Sequence, residues 1–195
     1  LDTLRNRFII WGGGHSDYSG NEVFYLDLSV IPPVLSRVTD PSDFNGGTND
    51  QNVDGTPKSR HTYRNLVYDP VADKMLSFGG ITISGTSSSA IWSLDVSVSP
   101  PVWSLRGASA IAAPSDGNRC IFHPTQLITY CDTGGSARLF TYNYGTDTST
   151  LVRQYTQATP FAGGMDLDVD VDILVFAGHD NNANAFQLKI VDVAA

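Results

Sequence analysis

Short apolar runs, broken by glycine, proline, aspartate and serine, recur along the whole chain. Typical runs are RFIIW at 7–11, VFYLDL at 23–28, KMLSF at 74–78 and IWSLDV at 91–96. They are rich in β-branched and aromatic residues, and each stops within a few positions at a turn-forming residue. The pattern therefore predicts an all-β protein made of short antiparallel strands.

Two of these segments are copies of one another. VFYLDLSVIPPVLS (23–36) aligns without a gap with IWSLDVSVSPPVWS (91–104), and eight positions are identical. Fainter copies follow at 124–144 and 171–192, where an apolar run leads to glycine and then to a second strand-like run. The chain is therefore expected to contain four look-alike units.

We expect the units at 1–38, 57–106, 107–157 and 158–195, with a polar loop inserted at 39–56 that has no apolar period. The predicted strand counts are three, four, four and three, with 59–69 forming the first strand of the second unit. A single four-stranded sheet cannot bury both of its faces, so neighbouring sheets must cover them. This predicts the blades of a β-propeller, in which a Gly-Gly pair lets the chain crowd the axis.

The units resemble the kelch repeat. A hydrophobic run, a Gly-Gly pair, a Leu-Asp strand and a trailing tryptophan carry the likeness, best seen at Gly79, Gly80, Asp95 and Trp103, whereas Leu35 stands where the repeat has tryptophan. The resemblance implies a propeller of kelch type, whose rings close with more blades than these units supply. An open arc would expose apolar faces and strand edges. We therefore expect part of a larger ring, completed by further blades of the same polypeptide or of other chains; a small propeller that closes on itself is the alternative.

Composition narrows the partners. The 195 residues are 41% hydrophobic and carry a formal net charge of -8, with a pI near 4.7. This acidity argues against nucleic acid or an anionic membrane as partner, and no apolar run is long enough to span a bilayer. Lysine is scarce and Ser, Thr and Gly are common, which is typical of exported proteins, so we expect an extracellular or secreted protein.

Polar side chains collect at three places where predicted strands begin or end. They follow the glycines at 12–14, open the second unit, and recur as Gly-His before Asp and Asn in the fourth unit. The candidate ligand-binding residues are His15, Asp17, Tyr18, Asn21, Glu22, Arg60, His61, Tyr63, His179, Asp180 and Asn181. Their donors, acceptors and aromatic faces suit a glycan or protein ligand. The alternative is that they bond to neighbouring backbone and hold the loops in shape.

Two further groups have open interpretations. Cys120 and Cys131 flank a tight connection and are expected at facing positions of one antiparallel pair, where either a disulfide or two buried thiols would fit. The segment MDLDVDVDI at 165–173 places an aspartate at every second position. In an extended strand these carboxylates would share one face, which would be a solvated edge or a cation site.

Catalytic motifs are missing from the sequence. It has no nucleophile elbow, phosphate-binding glycine loop or zinc motif. Copper radical oxidases, which occur among kelch-like propellers, need a tyrosine, two histidine ligands and a cysteine-linked second tyrosine, and the chain fits that set poorly. We therefore predict no catalytic residue, metal or cofactor. The sequence favours a non-enzymatic binding module whose loops hold a glycan or protein. A carbohydrate-active enzyme (oxidase, epimerase or hydrolase) and a structural subunit of an assembly are the alternatives.

Overall fold

The computed structural model describes residues 1–13, 18–108, 119–132, 138–154, 162–180 and 185–194. These residues form fifteen β-strands and no helix. The strands are β1 (Arg7–Ile10), β2 (Phe24–Asp27), β3 (Val34–Arg37), β4 (Arg60–His61), β5 (Leu66–Asp69), β6 (Lys74–Thr82), β7 (Ser87–Asp95), β8 (Val102–Ala108), β9 (Arg119–His123), β10 (Ile128–Asp132), β11 (Arg138–Asn143), β12 (Thr148–Gln154), β13 (Ala162–Asp168), β14 (Ile173–Asp180) and β15 (Ala185–Asp192).

The strands form four antiparallel sheets, which we number in chain order. Sheet 1 contains β1–β3, sheet 2 contains β4–β8, sheet 3 contains β9–β12 and sheet 4 contains β13–β15. Within each sheet the strands pair in sequence order, except that β4 and β5 both pair with β6. The predicted all-β class is confirmed.

Sheets 2, 3 and 4 meet through their first strands, and sheet 1 meets sheet 2 where the Gly13 N–H donates to the Arg60 carbonyl at 3.1 Å. β5 of sheet 2 lies against β9 of sheet 3, and β9 lies against β13 of sheet 4. Arg64 and Arg119 form an isolated parallel bridge, and the Cys120 N–H donates to the Arg64 carbonyl at 3.1 Å. Sheets that touch side by side through their first strands are arranged as the blades of a partial β-propeller, as the sequence predicts.

Three apolar clusters fill the spaces between neighbouring sheets. Met75 and Leu76 are adjacent on β6 yet belong to different clusters, because successive side chains of a strand point to opposite faces. An internal sheet thus buries both faces, which is why a single unit would not fold alone. The clusters are Trp11, Val23, Tyr68, Met75, Leu94 and Val96 between sheets 1 and 2; Leu76, Phe78, Ile91, Cys131, Phe140 and Tyr142 between sheets 2 and 3; and Tyr130, Leu139, Leu174, Phe176, Val191 and Val193 between sheets 3 and 4.

One backbone position recurs in all four sheets. Asn6, Asp73, Leu127 and Asp172 each precede a strand and have φ values of 48°, 53°, 55° and 52°. In three of the sheets the carbonyl of this residue accepts a hydrogen bond from the N–H just beyond the paired strand. The shared left-handed turn shows that the faint sequence copies adopt the same local structure as the strong ones.

The first strand of sheet 2 is not continuous, in contrast to the strand expected at 59–69. It divides into β4 and β5. Tyr63 has a φ of 54°, and the Asn65 N–H donates to the Thr62 carbonyl at 2.9 Å, so the chain turns between the two halves. Sheet 2 therefore has five strands where four were expected, whereas sheets 1, 3 and 4 have the expected three, four and three.

The predicted acidic face is wrong beyond Asp168. β13 ends there, and the chain turns through 169–172 before β14 begins. Asp172 instead bonds to His123 of sheet 3, with 2.8 Å between its Oδ1 and the imidazole Nε2. Since Nδ1 of the same ring accepts the Gln126 N–H at 3.2 Å, Nε2 carries the hydrogen and donates it. The carboxylate joins two sheets rather than forming a cation site.

The terminal sheets each leave one apolar face uncovered by the part of the chain that the structure describes. On β15, Phe186, Leu188 and Ile190 are 71%, 61% and 60% exposed. They point away from sheet 3, because Val191 of the same strand is buried between sheets 3 and 4. On sheet 1 the uncovered face carries Phe8, Ile10 and Leu35, which are exposed and share one face because Leu35 pairs with Leu26 and Leu26 with Phe8.

Candidate functional site

The two longest connections between strands, 11–23 from β1 to β2 and 38–59 from β3 to β4, meet at one end of the blades, which we call the loop-rich end. β1 ends and β2 begins there, β6 ends and β7 begins there, and the insert leads there from β3 into β4. The register fixes this placement, since Arg60 of β4 pairs with Thr82 at the end of β6. Short turns, such as 70–73 and 124–127, occupy the opposite end.

The insert is anchored to the loop-rich end by Asn21. The Asn21 amide nitrogen lies 3.1 Å from the Ser42 hydroxyl, 2.9 Å from the Thr56 hydroxyl and 3.0 Å from the Pro57 carbonyl. Its Oδ1 accepts the Ser42 N–H at 2.7 Å. Because the side chain is buried and both ends of the amide bond to protein, Asn21 holds the insert in place.

Arg60 anchors the insert from the other side. Its wholly buried guanidinium donates to the Asp50 carbonyl at 2.9 Å, to the Ser88 hydroxyl at 2.9 Å and, through Nε, to the Lys58 carbonyl at 3.1 Å. Asp50 also supplies a carboxylate oxygen at 3.4 Å. Burial lowers the pKa of Arg60 to about 10. The side chain joins the insert to sheet 2 and is closed to solvent, which is the loop-holding role that the sequence left open.

Glycines on both sides of β4 allow this crowding. Gly12 of sheet 1 has a φ of 87°, and a Cβ placed on it would stand 2.8 Å from the Arg60 carbonyl. Gly80 of sheet 2 has a φ of 109°, and its Cβ would stand 2.8 Å from the His61 carbonyl. The two Gly-Gly pairs thus admit close backbone approach, as predicted.

Tyr18 and Glu22 form the exposed part of the candidate site. The Tyr18 hydroxyl donates to Glu22 Oε1, and this bond raises the pKa of Tyr18. The tyrosine is 53% exposed, whereas Glu22 is only 7% exposed. Among the residues that the structure describes, neither Glu22 Oε2 nor the nearby buried Ser59 hydroxyl has a hydrogen-bond partner. A buried oxygen without a donor is costly, so this corner is suited to a ligand that brings donors.

His61, which ends β4, and Tyr63, in the turn that follows, form a stacked pair. Their ring centroids are 3.8 Å apart and the ring planes are inclined by 23°. Both side chains are half-buried. The stack keeps the two rings in fixed positions at the edge of the loop-rich end, where part of each remains open to solvent.

The remaining candidates fall partly or wholly outside the description. His15, Asp17 and Asn181 lie outside the described residues. The backbone of His179 and Asp180 ends β14, opposite the first residues of β15, and their side chains are not described. Their role in ligand binding therefore stays a prediction.

Sequence reasoning missed two residues of this end, Ser59 and Ser88. Ser59 places a buried hydroxyl near Gly13, and Ser88 accepts a hydrogen bond from Arg60. Serine is common in the turns and strands of this chain, so no local pattern distinguishes either residue. Only the close approach of β4 to sheet 1 and to β6 of its own sheet gives these hydroxyls their positions.

The opposite end is closed by an ion-pair network. Arg5 donates to both carboxylate oxygens of Asp73, at 2.8 and 2.5 Å, and also to Asp2 at 3.1 Å. The Tyr68 hydroxyl donates to Asp73 at 2.7 Å. The hydrogen bond from Arg5 is the largest cause that lowers the pKa of Asp73. These charges are paired with one another, so they clamp sheet 1 onto sheet 2.

Within the described ranges, no group of three or more His, Cys, Asp or Glu side chains could hold a metal ion. Cys120 and Cys131 stand directly opposite one another on β9 and β10, and both carry thiols. The described residues form no helix long and apolar enough to cross a membrane.

Comparison with known proteins bears on the fold. No protein-family model and no curated protein sequence matches the chain. The chain matches a propeller-like chain from the crystal structure of a nidogen/laminin complex. The TM-score is 0.56 at 8% identity, over 89% of this chain and 55% of that one. Kuenenia stuttgartiensis hydrazine synthase matches with a TM-score of 0.52 at 9% identity, over 88% and 40%.

A third solved structure, an auxiliary nutrient binding protein from Bacteroides thetaiotaomicron, matches with a TM-score of 0.49 at 11% identity, over 97% of this chain and 40% of that one. The chain therefore spans about half or less of the solved chains that it matches. At these identities the likeness concerns the fold alone. The chain has an all-β, propeller-like fold, and its kelch type stays a prediction.

Proposed function

We propose that this chain is a non-enzymatic binding module of β-propeller type, and that its loop-rich end holds a glycan. Tyr18 offers an exposed aromatic face, which suits the apolar face of a sugar ring. Glu22 lies beside it, and its Oε2, which has no hydrogen-bond partner among the described residues, would accept a hydrogen bond from a sugar hydroxyl. This pairing of an exposed ring with a buried acceptor is the observation that carries the proposal.

The neighbouring residues support the proposal by fixing the corner. Asn21 precedes Glu22 and is bonded to the insert on both sides of its amide. Arg60 holds the other side of the insert. Because these anchors are buried, the ligand would meet an already ordered surface and would lose little binding free energy to ordering it.

A glycan array probed with the purified chain tests the proposal. Tyr18→Ala and Glu22→Gln should each weaken binding by about tenfold or more, which corresponds to about 1.4 kcal/mol. Val71→Ala, at an exposed position in a turn at the opposite end, is the matched control and should bind like the wild type. Unchanged glycan binding by both site variants would contradict the proposed site.

The same samples separate the alternatives. If no glycan binds, capture of a protein ligand that Tyr18→Ala abolishes would favour a protein partner at this end. Oxidation, epimerisation or hydrolysis of array sugars by the purified chain would favour the carbohydrate-active enzyme instead. The kind of ligand that binds at Tyr18 and Glu22 thus distinguishes the three functions.

The uncovered apolar faces favour a second role in assembly. We infer that further antiparallel blades, from the same polypeptide or another chain, pack on the outer faces of sheets 1 and 4. Each face continues the pattern of the buried faces between sheets, with large apolar side chains at alternate positions. Contiguous exposed apolar surface of this kind marks a contact site in soluble proteins.

Light scattering on the purified 195-residue chain tests this inference. The wild type should self-associate as concentration rises, and Leu188→Lys on β15 should reduce that association. Leu127→Lys, exposed in a turn at the opposite end, is the control and should associate like the wild type. A wild-type chain that stays monomeric at every concentration would contradict the need for a covering blade.

We also propose an extracellular or cell-surface location. The support is compositional, because lysine is scarce and Ser, Thr and Gly are common. Fractionation of the producing cells, with detection by an antibody to this chain, should find the protein outside the cytosol. Recovery from the cytosolic fraction alone would contradict this location.

A further inference from the structure

Two cysteines oppose each other inside sheet 3. Cys120 of β9 is paired in register with Cys131 of β10. Residues directly opposite in an antiparallel pair project their side chains to the same face. Both cysteines accordingly meet the apolar cluster between sheets 2 and 3, with Cys131 inside it and Cys120 packed against it.

The hydrogen bonds show which kind of antiparallel pair this is. The Cys120 N–H donates to the Arg64 carbonyl of sheet 2, so the backbone polar groups of Cys120 point away from β10. Cys120 and Cys131 therefore form a non-hydrogen-bonded pair, in which the Cα atoms stand about 4.5 Å apart. Disulfides span Cα separations of about 4.4–6.8 Å, so the strands need not move far to accept one.

We propose that Cys120 and Cys131 are a redox pair that closes to a cross-strand disulfide when the protein meets a disulfide oxidant. The half-buried Cys120 is the thiol that such an oxidant reaches first, since Cys131 is buried. The Cys120 thiolate attacks one sulfur of the oxidant and releases one thiol. The Cys131 thiolate then attacks the Cys120 sulfur and releases the second thiol. Two cysteine thiols are oxidised, and one small disulfide is reduced to two thiols.

The bond would act on the strand that joins three sheets. β9 lies against β5 of sheet 2 and β13 of sheet 4. A link from β9 to β10 would hold this first strand in its sheet. Oxidation would therefore stabilise the contacts of sheet 3 with both neighbours, and reduction would release them.

Mass spectrometry of the native chain after treatment with 2-hydroxyethyl disulfide tests the proposal. No lysine or arginine lies between the cysteines, so trypsin yields both on the peptide 120–138. This peptide should lose about 2 Da and resist alkylation until it is reduced. The thermal midpoint of the oxidised chain should rise by about 5–10 °C and return after reduction.

Single variants separate the internal bond from a simple adduct. Cys131→Ser should leave Cys120 as a lasting adduct with the oxidant, without a rise in midpoint, and Cys120→Ser should lose both the internal bond and the rise. If one variant fails to fold, the other still provides the comparison. Two alkylatable cysteines after native treatment, or a persistent adduct in the wild type, would overturn the proposal.

Discussion

Replacing Arg60 with methionine tests whether this residue supports the fold or contacts a ligand. Methionine keeps an unbranched apolar chain and removes the guanidinium. In the structure that group is wholly buried and donates at 2.9 Å to both the Asp50 carbonyl and the Ser88 hydroxyl. Its pKa, lowered by burial to about 10, still leaves it charged at neutral pH. The substitution therefore removes a charge together with the contacts that satisfy it.

The expected cost follows from those contacts. A hydrogen bond from a charged donor contributes about 1.5–3 kcal/mol, and Arg60 makes a third short one to the Lys58 carbonyl at 3.1 Å. The substitution also relieves the cost of keeping a charge out of water, which offsets part of that sum. Each buried acceptor left without its donor costs about 1–3 kcal/mol, and with three acceptors affected we expect a net loss of unfolding free energy of about 3–5 kcal/mol.

Urea unfolding followed by tryptophan fluorescence measures the loss. The Trp11 ring lies 5.9 Å from the Arg60 guanidinium carbon, so its emission reports on this region. Arg60→Met should lower the urea midpoint by about 1–2 M. Arg153→Met, the same change at an exposed position on β12, should alter the unfolding free energy by no more than about 0.5 kcal/mol. An unchanged midpoint for Arg60→Met, or equal losses in both variants, would refute the anchoring role.

Three further outcomes are expected. The pKa of Asp73 is lowered in the folded protein, so its carboxylate stabilises the fold above the unfolded pKa of about 3.9. That contribution is lost as the pH falls through the folded pKa. Asp73→Asn should therefore flatten the acid side of a plot of urea midpoint against pH. Gly85→Ala should lower the unfolding free energy by about 1–2 kcal/mol, because alanine is strained at its positive φ. Gly80→Ala should lower it further in thermal unfolding, because a Cβ there also meets a carbonyl. Asp172→Ala should lower the unfolding free energy by about 1–3 kcal/mol, because His123 loses its acceptor. Asp172→Asn keeps an acceptor and tolerates the positive φ, so it should lower the thermal midpoint less.

Local repetition is what the sequence could predict. In the aligned copies, Asp27 accepts from the N–H and hydroxyl of Ser29, and Asp95 accepts in the same way from Ser97. These contacts join residues two positions apart, so the residue types alone determine them. The alternation of buried faces follows equally directly from the two-residue period of a strand.

Contacts between distant segments could not be predicted in this way. The insert lacks an apolar period, so nothing in its sequence indicates that Asp50 and Pro57 meet Arg60 and Asn21. The break at Tyr63 has no strong local signal either, because a non-glycine residue at positive φ depends on its surroundings. The apolar period of a strand continues through such a break, and the single strand expected at 59–69 was wrong for that reason.

Burial separates candidate residues that look equivalent in sequence. Asn21, Glu22 and Arg60 were grouped with Tyr18 because all are polar and lie near predicted strand ends. In the structure Tyr18 is exposed, whereas the polar groups of Asn21 and Arg60 are buried and hydrogen-bonded to other parts of the protein. The residue types indicate which groups can bind a ligand, and the path of the insert decides which of them can reach one.

The insert is therefore part of the candidate site rather than an appendage to it. β4 is two residues long and cannot hold its own position, yet it is confined between Gly12 of sheet 1 and Gly80 of sheet 2. The insert reaches this strand and is fixed by Arg60 on one side and Asn21 on the other. Asn21 is covalently joined to Glu22, so the bonds that order the insert also place Glu22 Oε2, the oxygen without a hydrogen-bond partner within the described ranges. A ligand bound there would gain affinity from order that the fold has already established.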